Sequence, residues 1–173
     1  MYFVEADGSD PALFSGDTLF LGTSPQSPLV NPWSPQRLTQ RLSRSLACLC
    51  AYSAGCGRFF EGTAEQMHQA ICVRVPQLPP STRLYCGHEY SVSNLRFALR
   101  VDPDNVDVQQ KLAWAEQQRE RGLPTVPSTL AEEASYNPFM RVHTDAIKRA
   151  VSLESSASAI ESMHALRDLK NKL

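Results

Sequence analysis

The chain has 173 residues, 42% of them apolar and 20% charged, the proportions of a folded globular protein of one or two domains rather than a disordered one. Lys and Arg number 17 against 18 Asp and Glu, and the resulting net charge of −1 excludes a nucleic-acid binder driven by overall charge. No apolar run is long enough for a membrane span, and Met1-Tyr2-Phe3-Val4-Glu5 lacks the charged and apolar blocks of a secretory signal, so a cytoplasmic protein is expected. The five cysteines fit neither a disulfide framework nor a four-ligand zinc spacing, and they read as reduced thiols.

In chain order, Tyr2-Phe3-Val4 and Ala12-Leu13-Phe14 are predicted strands joined through Asp7-Gly8 and Asp10-Pro11. Asp17 follows in Ser15-Gly16-Asp17-Thr18, as a turn or cap residue or as a carboxylate presented at a sheet end. Thr63-x-x-Gln66 is a capping box that opens a helix through Met67, Ala70 and Ile71, ending before Pro76. Arg83-Leu84-Tyr85-Cys86 reads as a buried strand, stopped by Gly87-His88-Glu89-Tyr90. Beyond it the pattern is helical. One helix carries Leu95, Phe97, Ala98, Leu99 and Val101 and closes before Asp102-Pro103. Another, capped by Asn105, carries Val108, Leu112, Trp114 and Ala115 and stops at Gly122. A proline-containing loop follows, then a weak helical turn at 130–133, a turn at Asn137-Pro138-Phe139, and helices near 143–152 and 157–172. Strands first and helices afterwards give an α+β fold class.

Residues 23–54 stand apart. They hold no Asp, Glu or Gly, carry Arg37, Arg41 and Arg44, and include Pro25, Pro28, Pro32 and Pro35. This is a +3 segment within a chain of net charge −1, which leaves the remainder at −4. The proline-rich first part is expected to be a flexible linker. Over 35–50, Leu38, Leu42, Leu46 and Leu49 keep helical spacing with the arginines on another face, a pattern for an amphipathic helix. Such a helix can lie on a membrane surface, dock in a partner's groove, or pack back on its own domain.

Asp17 and His88 each follow a short apolar strand and a glycine, so a shared sheet would bring a carboxylate and an imidazole to one edge, as a metal-ligand pair or a base and its orienter. The surrounding words are more specific. Phe14-Ser15-Gly16-Asp17-Thr18-Leu19-Phe20, Gly55-Cys56-Gly57-Arg58-Phe59-Phe60-Glu61-Gly62-Thr63 and Tyr85-Cys86-Gly87-His88-Glu89-Tyr90 occur in that order. Lys111-Leu112-Ala113-Trp114-Ala115, Pro124-Thr125-Val126-Pro127-Ser128-Thr129-Leu130 and Tyr136-Asn137-Pro138-Phe139-Met140-Arg141 follow. Over residues 1–22 and 55–173 this series resembles glyoxalase II, the hydroxyacylglutathione hydrolases of the metallo-β-lactamase superfamily.

The resemblance implies a partial metallo-β-lactamase-like domain over 1–22 and 55–90, the C-terminal half of an αββα fold, an insert at 23–54, and an all-helical substrate-binding domain over 91–173. It implies hydrolysis of glutathione thioesters such as S-D-lactoylglutathione at a two-metal site, usually zinc. Asp17 would bridge the metals and His88 would ligate one, both thereby catalytic. Glutathione would be held by Arg58, Phe59 and Phe60, by His88, Glu89 and Tyr90, and by Arg167 and Lys170, whose spacing puts two cations on one helix face toward a ligand with two carboxylates. The family is cytoplasmic or mitochondrial.

The chain also departs from the pattern. The family's Thr-His-x-His-x-Asp-His motif is absent, as is a further His ligand expected just before the first strand, so two of seven usual ligands remain, and His68, His143 and His164 lie at no useful spacing. Catalytic zinc takes about three protein ligands, and little turnover is expected of this chain. Phe60 stands where the family often has Tyr, and Arg58 replaces Lys with the charge kept. The alternative reading is a non-catalytic fragment that binds a glutathione conjugate or serves as an interaction module. A third is an unstable product with a bare sheet face. The composition of 23–54 is that of sequence added by alternative splicing.

Overall fold

A computed structural model describes residues 2–5, 10–14, 51–56 and 62–173. The described strands are β1 (Tyr2–Val4), β2 (Ala12–Phe14), β3 (Ala51–Tyr52), β4 (Gly55–Cys56), β5 (Arg83–Tyr85) and β6 (Ser128–Thr129). Four of them form one mixed sheet in the order β1-β2-β5-β6, with only the β2–β5 pair parallel. Strands β3 and β4 form a separate two-stranded hairpin.

Side chains alternate across a sheet, so register decides which residues meet the core. Phe3 lies opposite Leu13, Leu13 opposite Leu84, and Leu84 opposite Ser128. All four are buried. On the other face Val4 and Phe14 remain 48% and 44% exposed, and Phe14 stacks on the cross-strand Tyr85 with ring centroids 5.0 Å apart. The sheet is therefore covered on one side among the described residues.

The described residues include six α-helices, α1 (Ala64–His68), α2 (Ser91–Val101), α3 (Val106–Glu120), α4 (Leu130–Tyr136), α5 (Asp145–Ala150) and α6 (Ala159–Asn171), and all but α3 contribute to the core that covers the sheet. Helix α1 begins with a reciprocal cap. The Thr63 hydroxyl accepts from Gln66 N–H at 3.2 Å, and the Gln66 side chain accepts from Thr63 N–H at 3.0 Å. Beyond His68 it widens into π-type turns over Gln69–Arg74 and tightens into a single 3-10 turn at Val75–Gln77. Pro76 explains the change, because it brings no N–H to the ladder and its ring crowds the preceding turn. Asn105 caps α3 by accepting from the amides of Asp107 and Val108. At its far end Gly122 takes the left-handed φ of 70° that lets the Leu123 amide turn back to Gln118 O.

The main core gathers Phe3, Leu13 and Leu84 with Met67, Ile71 and Phe97, and closes on Phe139, Val142, Ile147, Met163 and Leu166. A second cluster of Ala54, Leu95, Ala98, Val108, Ala115 and Tyr136 joins the hairpin to α2, α3 and α4. Among the described residues no helix is long and apolar enough to cross a membrane.

The fold is α+β as expected, with strands at 2–4, 12–14 and 83–85 and the helices following. Three details differ. The weak turn at 130–133 is a full helix, opened by a second capping box between Thr129 and Glu132. Ser128–Thr129, read as loop, is an edge strand. Residues 51–54, inside the compositionally distinct segment, belong to the hairpin, and Ala54 is part of the second core cluster. The helix expected over 35–50 and the linker before it lie outside the described residues.

Leu13 sits mid-row and is 2% exposed, so Leu13→Ala should cost about 2–5 kcal/mol in urea unfolding. Thr129→Ala, which removes a cap, should cost about 1 kcal/mol. Equal losses from the two variants would contradict this arrangement.

Candidate functional site

The hairpin is a short stretch of backbone with few contacts of its own, yet side chains from distant parts of the chain bind it residue by residue. Asn94 Nδ2, on α2, donates to Ser53 O at 3.1 Å. Ala54 N–H donates to Glu133 Oε2, on α4, at 2.9 Å. Asn137 Nδ2 donates to Gly55 O at 3.2 Å. Arg167 Nη1, on α6, donates to Cys56 O at 2.8 Å. Buried backbone polar groups need such partners, and here they come from side chains rather than a longer ladder.

Two backbone features tighten the fit. Ala54 has a φ of 58°, a left-handed conformation that costs an L residue about 1 kcal/mol. A Cβ on Gly55 would stand 2.9 Å from both Asn94 Cγ and Lys170 Nζ. Glycine thus leaves room for the Asn94 and Lys170 side chains, which a Cβ here would displace.

Arg167 and Lys170 meet at this place, as their spacing on one helix predicts. Arg167 is 5% exposed, with its guanidinium 5.7 Å from the Phe139 ring. Lys170 donates from Nζ to Asn94 Oδ1 and lies 5.3 Å and 5.6 Å from the rings of Phe97 and Phe139. Among the described residues Lys170 has no carboxylate within ion-pair distance. Burial pulls its pKa down to about 8; the Cys56 thiol opposes that shift and Arg167 adds to it.

The second arm of the site is the loop after β5. His88 and Tyr90 are exposed and stack on one another, centroids 5.2 Å apart. The Cys86 thiol donates to His88 O at 3.3 Å. Glu89, between His88 and Tyr90 in sequence, is bound to Thr125. Its carboxylate accepts from the Thr125 amide at 3.0 Å and from the Thr125 hydroxyl, with Arg119 3.9 Å away. Partial burial raises the Glu89 pKa, but the bonds from Thr125 and Ser91 and the charge of Arg119 outweigh it and hold the carboxyl below its ordinary value. In this geometry Glu89 braces the loop that carries His88 and Tyr90.

Glu133 is the residue that sequence reasoning missed. It is fully buried and accepts from four donors, Ala54 N–H and Asn137 Nδ2 on one oxygen, the hydroxyls of Ser128 and Tyr136 on the other. Burial pushes its carboxyl above the usual range, and the bonds from Ser128, Asn137, Ala54 and Tyr136 work against that shift. The available sequence signal was two adjacent carboxylates opening a helix, of which Glu132 serves the cap and Glu133 goes inward.

Asp17, Arg58, Phe59 and Phe60 lie outside the described residues. Cys56, the last described residue of the hairpin, stands two positions before Arg58. Among the described residues no three His, Cys, Asp or Glu side chains come together as a metal site. His164 is exposed and lies 3.3 Å from Asp168 on its own helix. The described residues therefore do not fit a two-zinc centre.

The helical part from Glu89 onward is of a recognisable class, since the family description "Hydroxyacylglutathione hydrolase C-terminus" matches residues 89–173. Whole-chain similarity reaches further. The cytoplasmic hydroxyacylglutathione hydrolase of Arabidopsis thaliana is 44% identical over 172 residues, covering 99% of this chain and 53% of the relative. A hydroxyacylglutathione hydrolase-like protein of Gallus gallus is 42% identical over 172 residues, with 98% and 49% covered. The hydroxyacylglutathione hydrolase of Alkalilimnicola ehrlichii is 43% identical over 142 residues, with 82% and 43% covered. The chain belongs to the hydroxyacylglutathione hydrolase, or glyoxalase II, family. It spans about half the length of the curated relatives it matches.

Gly55→Ala should force Asn94 and Lys170 outward, at a cost of about 1–3 kcal/mol in chemical denaturation. An alanine variant as stable as the parent would show that the approach is looser than 2.9 Å.

Proposed function

We propose that this chain recognises the glutathione part of a glutathione thioester, the substrate class its relatives' names imply. The observation that carries the reading is Lys170, a half-buried lysine without a described carboxylate partner, set beside Arg167 against the hairpin that leads into Gly57-Arg58-Phe59-Phe60. An ammonium kept from water and without an opposing charge is a ready partner for an incoming carboxylate, and glutathione brings two.

In this reading Lys170 and Arg58 supply charge to the peptide carboxylates. Arg167 mainly holds the hairpin at Cys56 O and adds its field to that of Lys170. The stacked rings of His88 and Tyr90 form an exposed wall, and Phe59 and Phe60 bring apolar surface for the acyl-thioester end. Asp17 and His88 correspond by resemblance to two ligands of the family's zinc centre. The proposal is recognition, with hydrolysis dependent on ligands beyond these two.

The test is calorimetric titration of the purified chain with S-hexylglutathione at pH 7, alongside Lys170→Met. Loss of the charge-assisted contact should weaken binding by about tenfold or more. The pH dependence has a definite sign. Lys170 is charged below its folded pKa of about 8, so affinity should hold at pH 6–7 and fall as pH rises through about 8. A surface lysine would keep its charge to about pH 10. Absence of binding by the parent chain, or an unchanged affinity in Lys170→Met, removes the proposal. Adding zinc and S-D-lactoylglutathione to the same preparation decides whether the chain also turns substrate over.

A further inference from the structure

The Glu133 carboxylate is a costly group to place in the interior. It is fully buried, and an apolar residue of the same size would be expected to stabilise a fold at least as well. Its four donors are of two kinds. Ala54 N–H and Asn137 Nδ2, both 2.9 Å from Oε2, can only donate, so Oε2 must accept. Ser128 Oγ at 2.6 Å and Tyr136 Oη at 2.8 Å, on Oε1, are hydroxyls that can donate or accept. One oxygen is thus fixed as an acceptor, and the other tolerates a proton or an amide.

The fixed oxygen acts on the hairpin at its strained point. Ala54 sits at a φ of 58°, and the bond from its N–H to Glu133 holds it there. Asn137 is bound to the same oxygen and donates to Gly55 O as well, so one carboxylate oxygen governs two successive residues of the turn. At the next residue Arg167 grips the Cys56 carbonyl. Moving the turn would move the Cys56 carbonyl that Arg167 holds and the cradle around Lys170 together.

We propose that Glu133 is a positioning residue for the glutathione-binding cradle: its Oε2 acceptor fixes the Ala54–Gly55 turn on which Asn94, Arg167 and Lys170 converge. The inference rests on the glutathione reading above for its ligand, but the placement of the turn can be measured without any ligand.

The experiment compares Glu133→Gln with Glu133→Met in the full chain, each checked by thermal unfolding. Glutamine can present its carbonyl to Ala54 and Asn137 and its amide to the two hydroxyls, so it should restore the turn. Methionine matches the size and removes the acceptor. Two readouts are taken: S-hexylglutathione affinity by calorimetry, and the rate at which Cys56, 1% exposed in the folded chain, is alkylated, resolved by mass spectrometry. Glu133→Met, still folded, should bind about tenfold more weakly and expose Cys56 about tenfold faster, with Glu133→Gln within about threefold of the parent in both. A folded Glu133→Met that matches the parent, or a glutamine variant that fails as methionine does, overturns the proposal. If Glu133→Met does not fold, hydrogen exchange of the parent decides: the Ala54 amide should exchange as slowly as core amides, and exchange at the rate of an open loop overturns it. If the parent does not bind S-hexylglutathione, the glutathione reading fails by itself, and Cys56 alkylation with Ala54 exchange still decides the role of Glu133.

Discussion

Four consecutive backbone positions, Ser53 to Cys56, owe their hydrogen bonds to side chains that arrive from α2, α4, the turn after α4, and α6. A two-stranded hairpin is marginal alone in water, and this one has two residues per strand. Its conformation is therefore set from outside. Each of the four helper side chains is itself buried, so moving the hairpin would strand several polar atoms at once. The result is a turn held in place from outside, set against the Arg167–Lys170 cation pair.

The rest of the fold supplies the walls for that arrangement. The row Phe3, Leu13 and Leu84 gives the helices an apolar floor, and Phe139, fully buried, lies between the cations and the core. Its ring and that of Phe97 face Lys170, which partly replaces the water the ammonium has lost. The Asp102–Arg141 pair ties the end of α2 to the turn before α5. Glu89 does the same for the His88–Tyr90 loop through Thr125.

Much of this was legible in the sequence. Short apolar runs rich in strand formers, bounded by turn residues, gave the strands. Cap motifs at Thr63 and Asn105 gave helix starts, since those side chains answer local amide needs. The spacing of Arg167 and Lys170 gave their shared helix face, and the structure brings both to the hairpin. The hairpin's supports were not legible. Glu133 looks in sequence like a surface helix carboxylate, and its burial follows from Ala54, 79 residues earlier, and from Ser128 and Tyr136 on the chain around it. The same holds for Glu89, whose place in a family motif suggests ligand contact while its carboxylate meets Thr125. Long-range polar pairing leaves no periodic trace, so pattern reading cannot recover it. The two-residue edge strand at Ser128 was hidden for a related reason: its partner, β5, is set by tertiary packing.

Lys170 has one more consequence. With a pKa drawn down to about 8, it carries a proton for only part of the time in mildly alkaline solution. An anion settling beside it stabilises the ammonium, and the missing fraction of a proton must then be taken from the buffer. The heat released on association would include the ionisation heat of whichever buffer is present. The same complex would look more or less exothermic in phosphate than in Tris, although no contact in it had changed.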